Sequence, residues 1–494
     1  MRRYIIGRLL RSIFSIFVVV SIAIVMIYTL VPKENIFFGD NYLSKLGAKP
    51  DEMIQYKNTK WKTLGYRDYL EQAAMCRQSD DYSGCMVVGS EESLLLKAQY
   101  EAKGYTVESF PKSGFLYAYR DYKAFELIFN WFTRLVVFDH PQKVVDVENV
   151  DLERKIYIAT DHNGIPAIKC SGCTNEYLLY LNGSFPFIHQ NFVSLNFGVS
   201  YPTYSGIATV DVIATGQGSY EYKDVVLPSG NEASSPLDLH NCRYKASSTL
   251  DRLDREKFTS NYANCKMNYN DPSMISTSYM FGILALIVSY VIGLPGGIFM
   301  ASHKGKLADK IGTVYINIMI AVPSLAFIYF VKLIGSLFGL PDKFPQFGFG
   351  NALSYVLPVL ILGLLGTAGL MIWTRRFMVD QSNSDYVKFA RSKGLSQKEI
   401  FNNHILKNAI IPIVNGIPGS IILCISGAVI TETVFAIPGM GKMLPDAIKA
   451  FNNSMVITLT FILTSLSVLS LLLGDILITF VDPRIKLDNK GDSR

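Results

Sequence analysis

Apolar residues are gathered along this chain into six long runs, at 13–31, 274–301, 311–338, 353–373, 413–435 and 455–481. A hydrocarbon layer about 30 Å thick is crossed by roughly 20 helical residues, each rising about 1.5 Å. Every run is long enough to be one span, which predicts an all-α bundle of six transmembrane helices. The stretch 33–273, between the first and second runs, has a different texture. Lys155–Thr160 and 177–182 read as short strands, and 208–212 alternates apolar and polar positions as a strand does. Glu91–Ala102 and 125–137 carry helical patterns. The expectation is an α+β domain of about 240 residues inserted between the first two spans, large enough to bury its own core.

Charge orients the bundle. The first run follows Arg2, Arg3, Arg8 and Arg11 with no acid among them, a flank that retains the N-terminus in the cytoplasm. A cleaved signal peptide is the alternative. Against it, the run exceeds the roughly 7–15 residues of such a segment, and Tyr28-Thr29-Leu30-Val31-Pro32 offers no small-x-small cleavage site. Six spans put both termini inside. The inner loops then include His303-Lys304-Gly305-Lys306 and 374–408, the latter with Arg375, Arg376, Lys388, Arg391, Lys393, Lys398 and Lys407 against Asp380, Asp385 and Glu399. The outer loop 339–352 has one lysine and one aspartate, while the loop after the fifth span runs against the trend with Lys442 and Lys449 against Asp446. The whole follows the positive-inside rule.

Composition agrees with this layout. Charged residues are 18% of the chain, against about a quarter in soluble domains. Residues 33–273 hold 25 Lys and Arg against 30 Asp and Glu, a net of −5, and the remainder carries +11. The layout is therefore a cytoplasmic N-terminus and first span (1–32), an extracellular domain (33–273), a membrane core (274–481) with an inner loop at 374–412, and a cytoplasmic tail (482–494). Six of seven cysteines (Cys76, Cys85, Cys170, Cys173, Cys242 and Cys265) fall in the outer domain, and Cys424 falls in a span. Sequence-local pairing would join 76 to 85, 170 to 173 and 242 to 265. A redox or half-zinc role for Cys170-Ser171-Gly172-Cys173 and unpaired thiols remain open, although no second cysteine pair or histidine set has ligand spacing.

The inner loop carries the most information. From Asp385 to Pro412 it reads DYVKFARSKGLSQKEIFNNHILKNAIIP. Tyr386, Phe389, Ala390 and Lys393 share helical spacing on one face. Gly394 suits the left-handed position that ends a helix. Ser396 and Glu399 form an S-x-x-E capping box, with Leu395 and Ile400 at the staple positions. The pattern predicts two short helices about a glycine corner. The spacing Ala390-x3-Gly394-x9-His404-x7-Pro412 resembles the "EAA" loop of binding-protein-dependent ABC importer permeases. Of the motif's two alanines only the second is kept, and Asp385 and Tyr386 stand before it. The resemblance implies a type I importer permease fold and a coupling helix at 385–412 that docks on an ATP-binding subunit.

A second set of residues narrows the family. Thr431–Leu444, TETVFAIPGMGKML, is similar to the segment after the fifth span of peptide-type permeases. Asp475 and the closing Val481-Asp482-Pro483-Arg484-Ile485-Lys486 resemble that subfamily's last helix and end. Residues 4–32 and 177–213 resemble the first helix and outer loop of the first membrane subunit of oligopeptide permeases. Pro32 is followed here by Lys33-Glu34-Asn35 instead of the usual G-D-P. The large insertion is similar to the streptococcal form. Pro438-Gly439-Met440-Gly441 breaks an apolar stretch, as either a re-entrant segment at the outer mouth or a plain turn. Glu432, Lys332 and Asp475 are costly in lipid, so each is expected to face the bundle, water or a headgroup. Pro295, Pro323, Pro358 and Pro418 are candidate kinks.

The chain has no G-x-x-x-x-G-K-[ST] loop: Met443 follows Gly441-Lys442 and Leu307 follows Gly305-Lys306. Neither a nucleophile elbow nor an HExxH helix is present. The expectation is a non-enzymatic subunit with no cofactor or metal of its own, ATP and Mg²⁺ being bound by partners. The resemblance implies those partners: a second homologous permease, two ATP-binding subunits, an extracellular lipid-anchored peptide-binding protein and a peptide substrate, all at the plasma membrane and without nucleic acid. Two other readings stand beside it, a permease for dipeptides or nickel and a membrane-anchored extracellular sensor.

Overall fold

A computed structural model of the protein describes residues 2–77, 79, 81–183 and 187–481, excepting the side chains of 2–5, 475 and 477–481. The Asp475 side chain and the Asp482–Lys486 end therefore lie outside the described residues. The chain divides into two compact units, one of Met1–Ile27 with Ser273–Arg494 and the other of Tyr28–Pro272.

Among the described residues, four helices are long and apolar enough to cross a membrane: Ile6–Leu30, Met274–Ser302, Leu353–Ser382 and Asn453–Gly474. Two bent pairs raise the number to six if each pair is one span. The run 311–338 is not the straight helix its hydropathy predicts. Leu307–Ala321 and Ser324–Leu337 meet at 106°. Pro323 drives the residue before it out of helical conformation, and Val322 is extended there at ψ 125°. The run 413–435 is broken as well. Ile411–Leu423 tightens into a 3-10 turn at Cys424–Ser426 and stops at Gly427, whose φ of +75° is left-handed, before Val429–Phe435 resumes. Hydropathy registers continuity of apolar residues and is blind to such a stop. Pro295 and Pro358 lie inside helices that continue past them as single elements.

Small residues let the two longest of these helices approach closely, as membrane helices without a hydrophobic drive between them require. A Cβ at Gly297 would lie 2.6 Å from Thr374 Cβ, and one at Gly363 would lie 2.6 Å from Val288 Cγ1. The Ser289 hydroxyl crosses the same seam to the Gly363 carbonyl at 2.7 Å. A core of Phe281, Ile328, Phe344, Leu357, Ile361, Phe435 and Ile437 fills the unit at the start of these helices.

The second unit is α+β. Arg67–Glu71, Leu116–Asp121 and Thr106–Ser109 form an antiparallel sheet in that spatial order. Lys155–Thr160, Pro166–Ser171, Tyr177–Leu181 and Ile188–Gln190 form a four-stranded meander. Glu91–Ala102 is helical, and its Ser90 cap accepts the Ser93 amide. The helix expected at 125–137 spans Ala124–Leu135 and passes into the strand Val136–Phe138. The strand expected at 208–212 is instead the helix Thr209–Ala214. Thr209, Val212 and Ile213 are its buried residues, an i, i+3, i+4 set that five residues of apparent alternation concealed. Disulfides join Cys76 to Cys85, Cys170 to Cys173 and Cys242 to Cys265, and Cys424 is free.

Candidate functional site

Two constructions in the first unit hold the residues singled out by sequence. The first is the corner at 385–412. Its opening helix is Asp385–Ser392, followed by Gly394 at φ +78°, a conformation that any side chain would strain. Ser396 caps the next helix. Its hydroxyl accepts the Glu399 amide at 3.3 Å, and the Glu399 carboxylate accepts the Ser396 amide at 2.9 Å. The Ser396 hydroxyl also donates to that carboxylate at 2.7 Å, and with the Ser396 amide it holds the exposed Glu399 carboxyl below its ordinary pKa. The cap is therefore complete above the usual carboxylate range and is lost as pH falls through the lowered value. Asp385 is lowered likewise by the Lys388 ammonium at 2.8 Å.

The chain continues as Gln397–Glu399, a π-helical stretch Ile400–Leu406 and Lys407–Ala409, then bends by 40° into the helix that opens with Ile411 and Pro412. His404 lies in the π-helical stretch, the rarer winding that often marks functional segments. Its carbonyl accepts the Asn408 side-chain Nδ2 at 2.8 Å and the Tyr386 hydroxyl at 3.3 Å. Val387, Ala390, Ile400, Ile405 and Ala409 pack as one core on Met378, with Ile298 and Ala301 beside them. Tyr386, Phe389, Ala390 and Lys393 do have helical spacing along Asp385–Ser392 and the turn after it, but the core takes a different face of that helix. Val387 and Ala390 are buried, whereas Tyr386 and Phe389 are exposed, Phe389 at 61%. Spacing alone gives two faces, and which one turns inward depends on the neighbours.

The second construction surrounds Glu432, which is 1% exposed. Its Oε1 accepts the Ser278 hydroxyl at 2.8 Å and the Ala428 amide at 3.1 Å, and its Oε2 accepts the Lys442 amide at 2.9 Å. Ser278 in turn accepts the Met440 amide at 2.7 Å. Side chains are excluded around the carboxylate. A Cβ at Gly427 would collide with Oε1, and at Gly439 and Gly441 it would come within 2.5 and 3.0 Å of Oε2. The segment after Val429–Phe435 is therefore folded around a buried carboxyl group, with Pro438 part-buried in the turn before Met440–Lys449. Lys332 donates to the Val434 carbonyl at 2.9 Å and lies 5.1 Å from the Phe435 ring.

Sequence reading missed Ser278 and Gly427 in this knot, since a serine in an apolar helix and a glycine in an apolar run carry no distinguishing pattern. It also missed a bidentate pair between Arg375 and the buried Asp309, at 2.6 and 2.8 Å, which also receives the Gly305 amide at 2.9 Å. Ser278 and Ala301 lie 23 residues apart on one helix, so the knot and the corner are separated by about 35 Å, roughly a membrane thickness.

Residues 293–487 match the family of binding-protein-dependent transport system inner membrane components. Over 499 aligned positions the chain is 43% identical to the oligopeptide transport system permease protein AmiC of Streptococcus pneumoniae, covering 99% of this chain and all of that one. The chain belongs to this permease family. It is a multi-pass membrane protein and a non-catalytic transport component. The permease is also 32% identical to the dipeptide transport system permease protein DppB of Lactococcus lactis, over 47% of this chain and 77% of that one. Among solved structures, the MetNI methionine transporter aligns with 42% of the permease and 94% of its own chain, at 15% identity and a TM-score of 0.35.

Proposed function

We propose that this permease is one of two membrane subunits of an ATP-driven oligopeptide importer. The observation that carries this reading is the likeness to AmiC, which runs through residues 28–272 as well as the membrane core. The shorter DppB alignment covers only about half of the chain.

The mechanism is alternating access. A lipid-anchored binding protein delivers peptide from outside, and the pathway runs between this chain and a homologous second permease. Two ATP-binding subunits hold ATP and Mg²⁺ and close on hydrolysable nucleotide. Their movement is received at 385–412, whose exposed Tyr386 and Phe389 offer an aromatic anchor over a packed base. The base rests on Met378, Ile298 and Ala301, near the ends of the two closely packed helices, so displacement of the corner is transmitted into the bundle as a rigid-body shift. The Glu432 knot fixes the segment at the opposite end, the outer mouth. In this orientation both termini are cytoplasmic and residues 33–273 are extracellular, as the loop charges support.

The test is uptake in cells lacking the chromosomal copy and supplied with this gene. Labelled oligopeptide should accumulate, and unlabelled oligopeptides of varied sequence should compete while dipeptides and Ni²⁺ do not. Restored Ni²⁺ or dipeptide uptake without oligopeptide uptake would overturn the cargo assignment.

A further inference from the structure

The fold of the Tyr28–Pro272 unit assembles a group of side chains that no spacing in the sequence connects. Asp161 and His162 follow the strand Lys155–Thr160, and His240 lies 79 residues beyond Asp161, within the strand Leu237–Arg243. One ligating atom from each of the three falls within 4.8 Å of the others. Asp161 Oδ2 and His240 Nε2 are 2.8 Å apart, and both residues are buried. The His162 and His240 rings are 4.4 Å apart. His162 Nδ1 is itself buried and has no hydrogen-bond partner. A buried polar atom left unpaired is costly, and this one belongs to an imidazole with a ring nitrogen in ligating range of Asp161 and His240, its Nε2 lying 3.1 Å from Asn163 Nδ2.

We propose that Asp161, His162 and His240 form a Zn²⁺ site with three protein ligands and one open position. Two imidazoles and a carboxylate suit a first-row divalent ion of Zn²⁺ type and disfavour Ca²⁺ and Mg²⁺, which take oxygen shells. The surroundings hold the ligands in place, as metal sites require. Asp161 Oδ1 accepts the amides of Asn163 and Ile165, both at 2.8 Å, which fixes the carboxylate at the hairpin turn. The His240 ring is stacked on Tyr180 at 4.6 Å and 5°. Zn²⁺ enters between Oδ2 and Nε2, replacing their hydrogen bond, and gives the His162 nitrogen its partner. The ion then clips the 160–166 turn to the strand Leu237–Arg243. The part-exposed His162 leaves the fourth position for water or a donor from a bound molecule.

The experiment is calorimetric titration of ZnCl₂ into the purified full-length protein in detergent after chelator treatment and desalting. One equivalent should bind, the His162→Gln variant should bind at least tenfold more weakly, and His189→Gln should be unchanged. His162 is not a core residue, so its variant is expected to melt like the wild type in chelator. Zinc-edge X-ray absorption on the loaded wild type should show two imidazoles in an N/O shell at about 2.0 Å. Absence of saturable binding in the wild type, equal binding by the His162→Gln variant, or a shell without imidazole would each overturn the site.

Discussion

Replacing Glu432 by leucine is expected to abolish transport and to lower the stability of the membrane unit. The substitution removes the acceptor of two part-buried backbone amides, Ala428 and Lys442, and of the buried Ser278 hydroxyl. Stranding a buried donor costs about 1–3 kcal/mol, a penalty that applies in full to the buried Ser278 hydroxyl and in part to the two amides. Leucine also brings branched carbon toward Gly427, Gly439 and Gly441, whose missing side chains make room for two oxygens. Glu432→Gln keeps the shape but turns an amide NH₂ toward existing donors, so it should lie between wild type and leucine. Melting temperature in detergent and peptide uptake in cells should fall together in that order. A Glu432→Leu variant with wild-type melting and uptake would remove the knot from the account.

Phe389→Asp is expected to separate stability from function. Phe389 is 61% exposed and outside the core that holds the corner, so the variant should melt like the wild type. An aromatic anchor at the centre of an interface is worth about 2–4 kcal/mol, which corresponds to a loss of association of roughly 30- to 1000-fold. The variant should be inserted normally yet recover little ATP-binding subunit, with uptake lost. Ala390→Glu supplies the contrast. Ala390 is buried against Met378 and Ile400, so the same loss should come with a lowered melting temperature. Normal subunit recovery by the Phe389→Asp variant would place the docking surface elsewhere.

What was legible in the sequence follows from how local the governing physics is. The Ser396–Glu399 cap and the left-handed Gly394 depend on residues within one turn of each other, and both stand in the structure, while four of the six apolar runs hold single helices long enough to cross a membrane and two hold bent pairs. Pro323 is a kink signal in its own right and the 106° bend falls there, whereas the stop at Gly427 is hidden by apolar residues on both sides. The inward face of Asp385–Ser392 is decided by Met378 and Ile400, which lie outside the helix. Ser278 meets Glu432 across 154 residues and His240 meets Asp161 across 79. Neither juxtaposition leaves a trace in spacing, and both emerge only when the chain is folded.

The most direct measurement is the composition of the assembly in which the chain resides. The tagged full-length protein, solubilised gently from its native membrane and purified, should carry one homologous permease and two ATP-binding subunits in fixed stoichiometry, with ATPase activity that the Phe389→Asp preparation lacks. Recovery of the chain alone, or with partners that neither bind nor hydrolyse ATP, would contradict the reading of this protein as an importer subunit that draws on another's ATPase.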